Sequence, residues 1–116
     1  MLGNVCQRCD GAAAALVAAA ELPSEVGAVV SRGGRPDLAG ESLDGVRAPT
    51  LMIVGGYDLE VIDLNEQAML YLRCPKKLQI VPGASHLFEE RGTLERVAQL
   101  ARDWFGRYLT ATRAEG

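Results

Sequence analysis

Apolar positions along this chain alternate between short, strand-like runs and longer stretches with helical spacing. The runs at residues 26–30 (V-G-A-V-V) and 51–54 (L-M-I-V) are continuous and apolar, and 78–81 (L-Q-I-V) is strand-like. Runs of that length bounded by glycine or proline suit strands of a parallel sheet buried on both faces. Residues 11–21 read G-A-A-A-A-L-V-A-A-A-E, almost free of polar side chains, which predicts a helix packed closely on a sheet. A second helix is predicted over 63–73, capped by Asp63, with Leu64, Ala68, Leu70, Tyr71 and Leu72 as its apolar set. The third, over 93–109, has the clearest period: Leu94, Val97, Ala98, Leu100, Ala101, Trp104, Phe105, Tyr108 and Leu109, with charged residues between them. Residues 38–47 read as a short helical or irregular connection, 1–10 as an irregular start and 110–116 as a solvated tail. The alternation predicts an α/β fold, a three-layer arrangement in which a mainly parallel sheet of about three strands is flanked by helices.

Composition narrows the function classes. The chain has 116 residues, one domain's worth, with 12 basic and 15 acidic residues and a formal charge of −3. That balance offers nothing to nucleic acid or to an anionic membrane surface. No apolar run reaches the ~18 residues of a membrane span, and the start lacks the charged and apolar regions of an export signal, so a cytoplasmic protein is expected. Three cysteines, Cys6, Cys9 and Cys74, cannot all pair, which agrees with a reducing compartment.

The chemistry sits on the strand ends. Asp58 follows the 51–54 run after Gly55-Gly56-Tyr57, and His86 follows the 78–81 run after P-G-A-S. Both fall where open α/β sheets place ligands and catalytic groups. An acid and then a histidine on successive loops is the second half of a nucleophile–histidine–acid constellation. Asp58 could instead form an Asx turn, and Asp37, after the preceding strand, is a rival acid. The loop at 31–37 carries Arg32 and Arg35, which could anchor a substrate carboxylate or simply face water. Cys6-x-x-Cys9 just before a helix admits three readings: inert cysteines, a redox pair or half of a zinc site. No second ligand pair in the chain completes the zinc reading.

Three segments, V-S-R-G-G-R-P-D-L, A-P-T-L-M-I-V-G-G-Y-D and I-V-P-G-A-S-H-L-F, together with the small-residue helix, resemble the C-terminal half of an α/β-hydrolase of the dienelactone hydrolase-like family. The resemblance covers about residues 11–109. It implies Asp58 as the acid and His86 as the histidine of the family's triad, and it places Cys9 on the nucleophile. The family's elbow reads G-x-S-x-G or G-x-C-x-G; here Gln7-Arg8-Cys9-Asp10-Gly11 keeps the last glycine and has Gln7 for the first. It further implies the backbone N–H of Asp10 as one oxyanion donor, an ester or lactone as substrate, and no cofactor or metal. The second oxyanion donor belongs to the N-terminal part of that fold, so weak or incomplete activity is expected from this length of chain. Two other classes stay open at this point. One is an inactive fragment or interaction module that forms a homodimer or joins a missing N-terminal half; the other is a C-x-x-C thiol–disulfide protein.

Overall fold

The computed structural model describes residues 2–6, 9–22 and 24–114, with side chains over 13–22 and 24–109. Four strands, β1 (Leu2–Cys6), β2 (Val26–Arg32), β3 (Thr50–Gly55) and β4 (Lys76–Val81), lie side by side in chain order. Every pairing is parallel, with Val30 opposite Leu51 and Leu51 opposite Lys77. Between them run α1 (Cys9–Glu21), a 3-10 segment over Pro36–Gly45 kinked at Gly40, and α2 (Leu59–Met69); α3 (Thr93–Ala114) follows β4.

Right-handed crossovers that step across a sheet in one direction place all their helices on one face. One core cluster accordingly joins α1, the 3-10 segment and α2 to the sheet through Leu16, Ala19, Val29, Leu43, Met52 and Ala68. Ala13 and Ala19 let α1 approach closely, and the fully buried Leu16 contributes about 1.5–3 kcal/mol from its apolar area. The other face belongs to α3, where Val97 and Trp104 meet Val30, Leu51, Ile53 and Phe88. Trp104 also donates its indole N–H to the carbonyl of Pro49, which ties α3 to the entry of β3. β2 and β3 sit between both layers and are buried almost throughout, which explains their continuous apolar runs.

Three details differ from the sequence expectations. Residues 2–6, expected to be irregular, form β1; L-G-N-V-C has little alternation, and its strand character comes from backbone pairing with β2. The second helix begins at Leu59 rather than residue 63 and ends at Met69. Asp63 therefore lies inside α2, accepting a hydrogen bond from Gln67 one turn on at 2.9 Å, while Leu70 and Tyr71 project into solvent. The connection expected over 38–47 is, as anticipated, largely helical over 36–45, with Gly40 at φ +54 breaking it in two. Finally, α3 continues through residues expected to be a solvated tail, as far as Ala114. Among the described residues no helix is long and apolar enough to cross a membrane.

Candidate active site

Parallel strands bring their C-terminal ends to one edge of the sheet, and the loops there carry the candidate residues. Asp58 occupies the N-cap position of α2, yet its carboxylate makes no cap hydrogen bond. It accepts instead from His86: Nδ1 lies 2.6 Å from Asp58 Oδ2, across 28 residues of sequence. A carboxylate only accepts, so Nδ1 carries the hydrogen and Nε2 of the neutral ring holds the lone pair. The Asp58 side chain is 15% exposed and that of His86 41%, so the acid is sheltered and the imidazole reaches the surface.

Close backbone packing sets this contact. Gly55 ends β3 against the 84–85 backbone; a Cβ there would come within 2.6 Å of the Ser85 carbonyl oxygen and nearer still to that of Ala84. Gly56 donates to the Val81 carbonyl at 2.9 Å and Tyr57 to the Ala84 carbonyl at 3.0 Å. The acid loop is thus stitched directly to the histidine loop. Beyond His86, Phe88 plugs into the α3-side core, 1% exposed, at φ +57, a conformation that costs a non-glycine residue about 1–2 kcal/mol. Thr93 at the start of α3 donates its hydroxyl to the Phe88 carbonyl at 2.9 Å. Glu90 receives the Ser85 amide at 2.9 Å, and that bond, with a smaller one from its own backbone, holds its carboxyl below the usual range.

The third loop presses on the imidazole from β2. Gly33, at φ +61, passes so close that a Cβ would stand 3.3 Å from the His86 carbonyl oxygen and 3.6 Å from Nδ1. Its N–H donates to the Ile53 carbonyl at 2.7 Å. Asn65 of α2, 1% exposed, donates Nδ2 to the carbonyls of Gly34 at 3.1 Å and Val61 at 2.8 Å.

Asp37, the rival acid, is taken by Arg35, whose guanidinium grips both carboxylate oxygens at 3.0 and 2.8 Å. That hydrogen bond, opposed by partial burial and helped by the Arg35 charge, keeps the Asp37 carboxyl below its usual range. A depressed folded-state pKa means that the pairing stabilises the loop above the unfolded value of about 3.9 and that this contribution is lost as pH falls through the folded value. Hydrogen exchange at residues 33–37, corrected for intrinsic rates, is therefore expected to accelerate below about pH 4; uniform protection down to pH 2 would contradict it. Arg32 stands 5.7 Å over the Phe88 ring. The structure thus gives both arginines that the sequence marked as carboxylate anchors a contact within the protein.

Cys9 begins α1, three positions after the last residue of β1, and Asp10 follows it. The side chains of Cys6, Cys9 and Asp10, and with them the elbow, oxyanion and C-x-x-C readings, lie outside the described side chains. Cys74 is buried and donates weakly to Thr50 Oγ1 at 3.7 Å. Among the described residues no group of three or more metal-ligating side chains comes together.

No family model matches the chain. Its backbone superimposes on a dienelactone hydrolase from Anabaena variabilis with a TM-score of 0.89 at 60% identity, over 91% of this chain and 49% of that one. The chain has a dienelactone hydrolase-like fold, a partial α/β-hydrolase. The same dienelactone hydrolase-like fold, at 21% identity and TM-score 0.79, matches the esterase domain of a Rhodothermus marinus protein, over 91% of this chain and 61% of that one. A protein of Mycobacterium tuberculosis, named provisionally as a phosphoribosyl transferase and found in two strains, is 58% identical over 106 residues. Those residues are 91% of this chain and 24% of the Mycobacterium protein. The chain therefore spans about half the length of the dienelactone hydrolase and about a quarter of the Mycobacterium relatives.

Sequence reasoning overlooked Gly33, Asn65, Phe88 and Glu90 as parts of this site. Gly33 and Phe88 lie within the motifs that carry the resemblance, and Asn65 shows as a polar residue on the Val61–Ala68 face of α2, where apolar side chains are expected.

Proposed function

We propose that this chain carries the thiol–imidazole–carboxylate machinery of an ester or lactone hydrolase, with Cys9 as nucleophile, His86 as base and Asp58 as the group that orients it. The carrying observation is the 2.6 Å bond between Asp58 and His86, which sets the tautomer that leaves Nε2 as the proton acceptor. In this reading His86 takes the thiol proton, and the Cys9 thiolate adds to the acyl carbon. His86 then returns the proton to the departing alkoxide, leaving a thioester. Water, deprotonated by His86, displaces the thiol and completes hydrolysis. The start of α1 at Cys9 favours the thiolate through the helix dipole, and the Asp10 N–H suits one oxyanion contact. Substrate is a small ester or lactone, and no cofactor takes part.

Iodoacetamide alkylation against pH, mapped peptide by peptide, tests this reading, with Cys6 and buried Cys74 as internal controls. Cys9 is expected to titrate well below the free thiol value of about 8.5. His86→Ala is expected to abolish that shift and slow the reaction at pH 7 about tenfold, the change in thiolate per unit of pKa. An ordinary titration of Cys9 in both proteins would end the nucleophile assignment.

One observation favours a second reading. Among the described residues β1 pairs with β2 alone and no strand lies on its other edge, which suits a further strand from another half of a longer fold or from a second copy. A concentration-dependent dimer in sedimentation together with ordinary Cys9 titration would support that module.

A further inference from the structure

We infer that Asn65 is a positioning residue for the Asp58–His86 pair, acting through the carbonyl of Gly34. The inference rests on that pair being the functional one, and it is carried by an unbroken series of contacts. Asp58 stands at the N-cap of α2 and Asn65 about two turns into it, so one helix joins the acid and this amide. Asn65 Nδ2 reaches out of the helix to Gly34 O at 3.1 Å while also bonding back to Val61 O at 2.8 Å. Gly33, the next residue back, is fastened on its other side to Ile53 O at 2.7 Å. Between these two fastenings the Gly33 backbone lies against His86, closely enough that an added Cβ would sit 3.6 Å from Nδ1. The imidazole is thus held by Asp58 at its Nδ1 edge and backed by a loop whose place is set from the same helix.

The chemistry of Asn65 fits this role better than that of a packing residue. A core-facing amide 1% exposed carries a burial cost, and an apolar residue would fill the Val61–Ala68 face without it. Both Nδ2 bonds go to carbonyl oxygens, so the nitrogen must face Gly34, and Oδ1 is left buried with no hydrogen-bond partner among the described residues. The amide keeps its donor at the expense of its acceptor. Only the donor is in use, and one of its two bonds goes to the loop that backs the imidazole.

The chain has one histidine, so proton NMR of its ring reads His86 without ambiguity and without any need for turnover. Asn65→Leu removes donor and acceptor at similar volume. Asn65→Ser keeps a hydroxyl able to bond back to Val61 O within the helix but too short for Gly34. The low-field Nδ1–H signal of the bond to Asp58 is expected in the parent. In both variants its exchange with water is expected to quicken about tenfold, the factor that goes with one net hydrogen bond. Thermal midpoints are expected to stay close to the parent's in Asn65→Leu, where the helix gains a better former. An unchanged Nδ1–H lifetime in either folded variant would overturn the inference, and so would loss of the fold in both, which would make Asn65 structural. Absence of the signal in the parent would instead count against the Asp58–His86 pair itself.

Discussion

Asp58→Asn is expected to slow acylation of Cys9 by a small activated ester on the order of 10³-fold, with the thermal midpoint nearly unchanged. The substitution keeps shape and removes the one property the pair depends on. An asparagine amide facing Nδ1 donates a hydrogen, so the ring turns its lone pair to Nδ1 and places its proton on Nε2. Under the proposed function, that is the nitrogen which accepts the thiol proton. The Asp58 side chain is only 15% exposed, so water replaces the lost carboxylate poorly. A comparable change in a serine enzyme costs about ten times more, and the smaller figure reflects the greater intrinsic acidity of a thiol. Acylation followed by mass spectrometry measures the step on Cys9 alone, whatever the rate of deacylation. A rate close to the parent's would remove Asp58 from the mechanism.

Gly55→Ala is expected to be the most damaging small substitution in the described fold, costing about 3 kcal/mol, the upper end of overpacking penalties. Its Cβ would penetrate the carbonyl oxygens of Ala84 and Ser85, which are backbone and cannot rotate away. Relief requires β3 and the histidine loop to separate. That movement would also break the Tyr57 N–H bond to Ala84 and draw His86 from Asp58. Urea denaturation measures the cost. Gly83→Ala serves as the comparison: at φ +78 its Cβ meets nothing within 4 Å, so backbone strain of about 1–2 kcal/mol is its whole penalty. Equal losses in the two variants would show that the close approach at Gly55 has no special role.

The two substitutions concern different levels of one site. Asp58 supplies charge and hydrogen-bond polarity, and Gly55 supplies the absence of a side chain that allows two loops to meet. One cleft lies on the α3 face, about 280 Å³ with Lys77, Arg96, Asp103 and Arg107 on its walls, and another lies between the 3-10 segment and α2. Neither is lined by Asp58 or His86. The pair faces outward from the sheet edge, in agreement with a chain that spans 49% of the dienelactone hydrolase it resembles. Under the proposed function, the remaining substrate walls come from outside this segment.

Much of this architecture can be read from residues alone, because its causes are local. V-G-A-V-V and L-M-I-V are apolar on both faces since β2 and β3 lie between two helical layers. Trp104 and Val97 follow the helical period because α3 meets the sheet along one stripe. The glycines and prolines after each run place Asp58 and His86 just past strand ends. What local pattern lacks is any account of partners far away in sequence. β1 is a strand because β2 lies beside it, and its five residues hold too little alternation to announce that. Asp63 has the chemistry of a cap, yet α2 starts at Leu59, since the chain turns directly from Gly55 into the helix.

By itself, then, the sequence determined the α/β alternation, the buried central strands and the set of candidate groups at the strand ends, because periodicity and turn chemistry act over a few residues. Only the tertiary structure decided which of Asp58 and Asp37 meets His86. Either could serve by residue type, but Arg35 lies two positions from Asp37 and engages it, while the 55–57 and 81–84 backbones bring Asp58 to His86. The bond from Asn65 to Gly34 likewise spans 31 residues. Contacts of that separation depend on how layers pack and loops approach, and no local pattern along the chain records them.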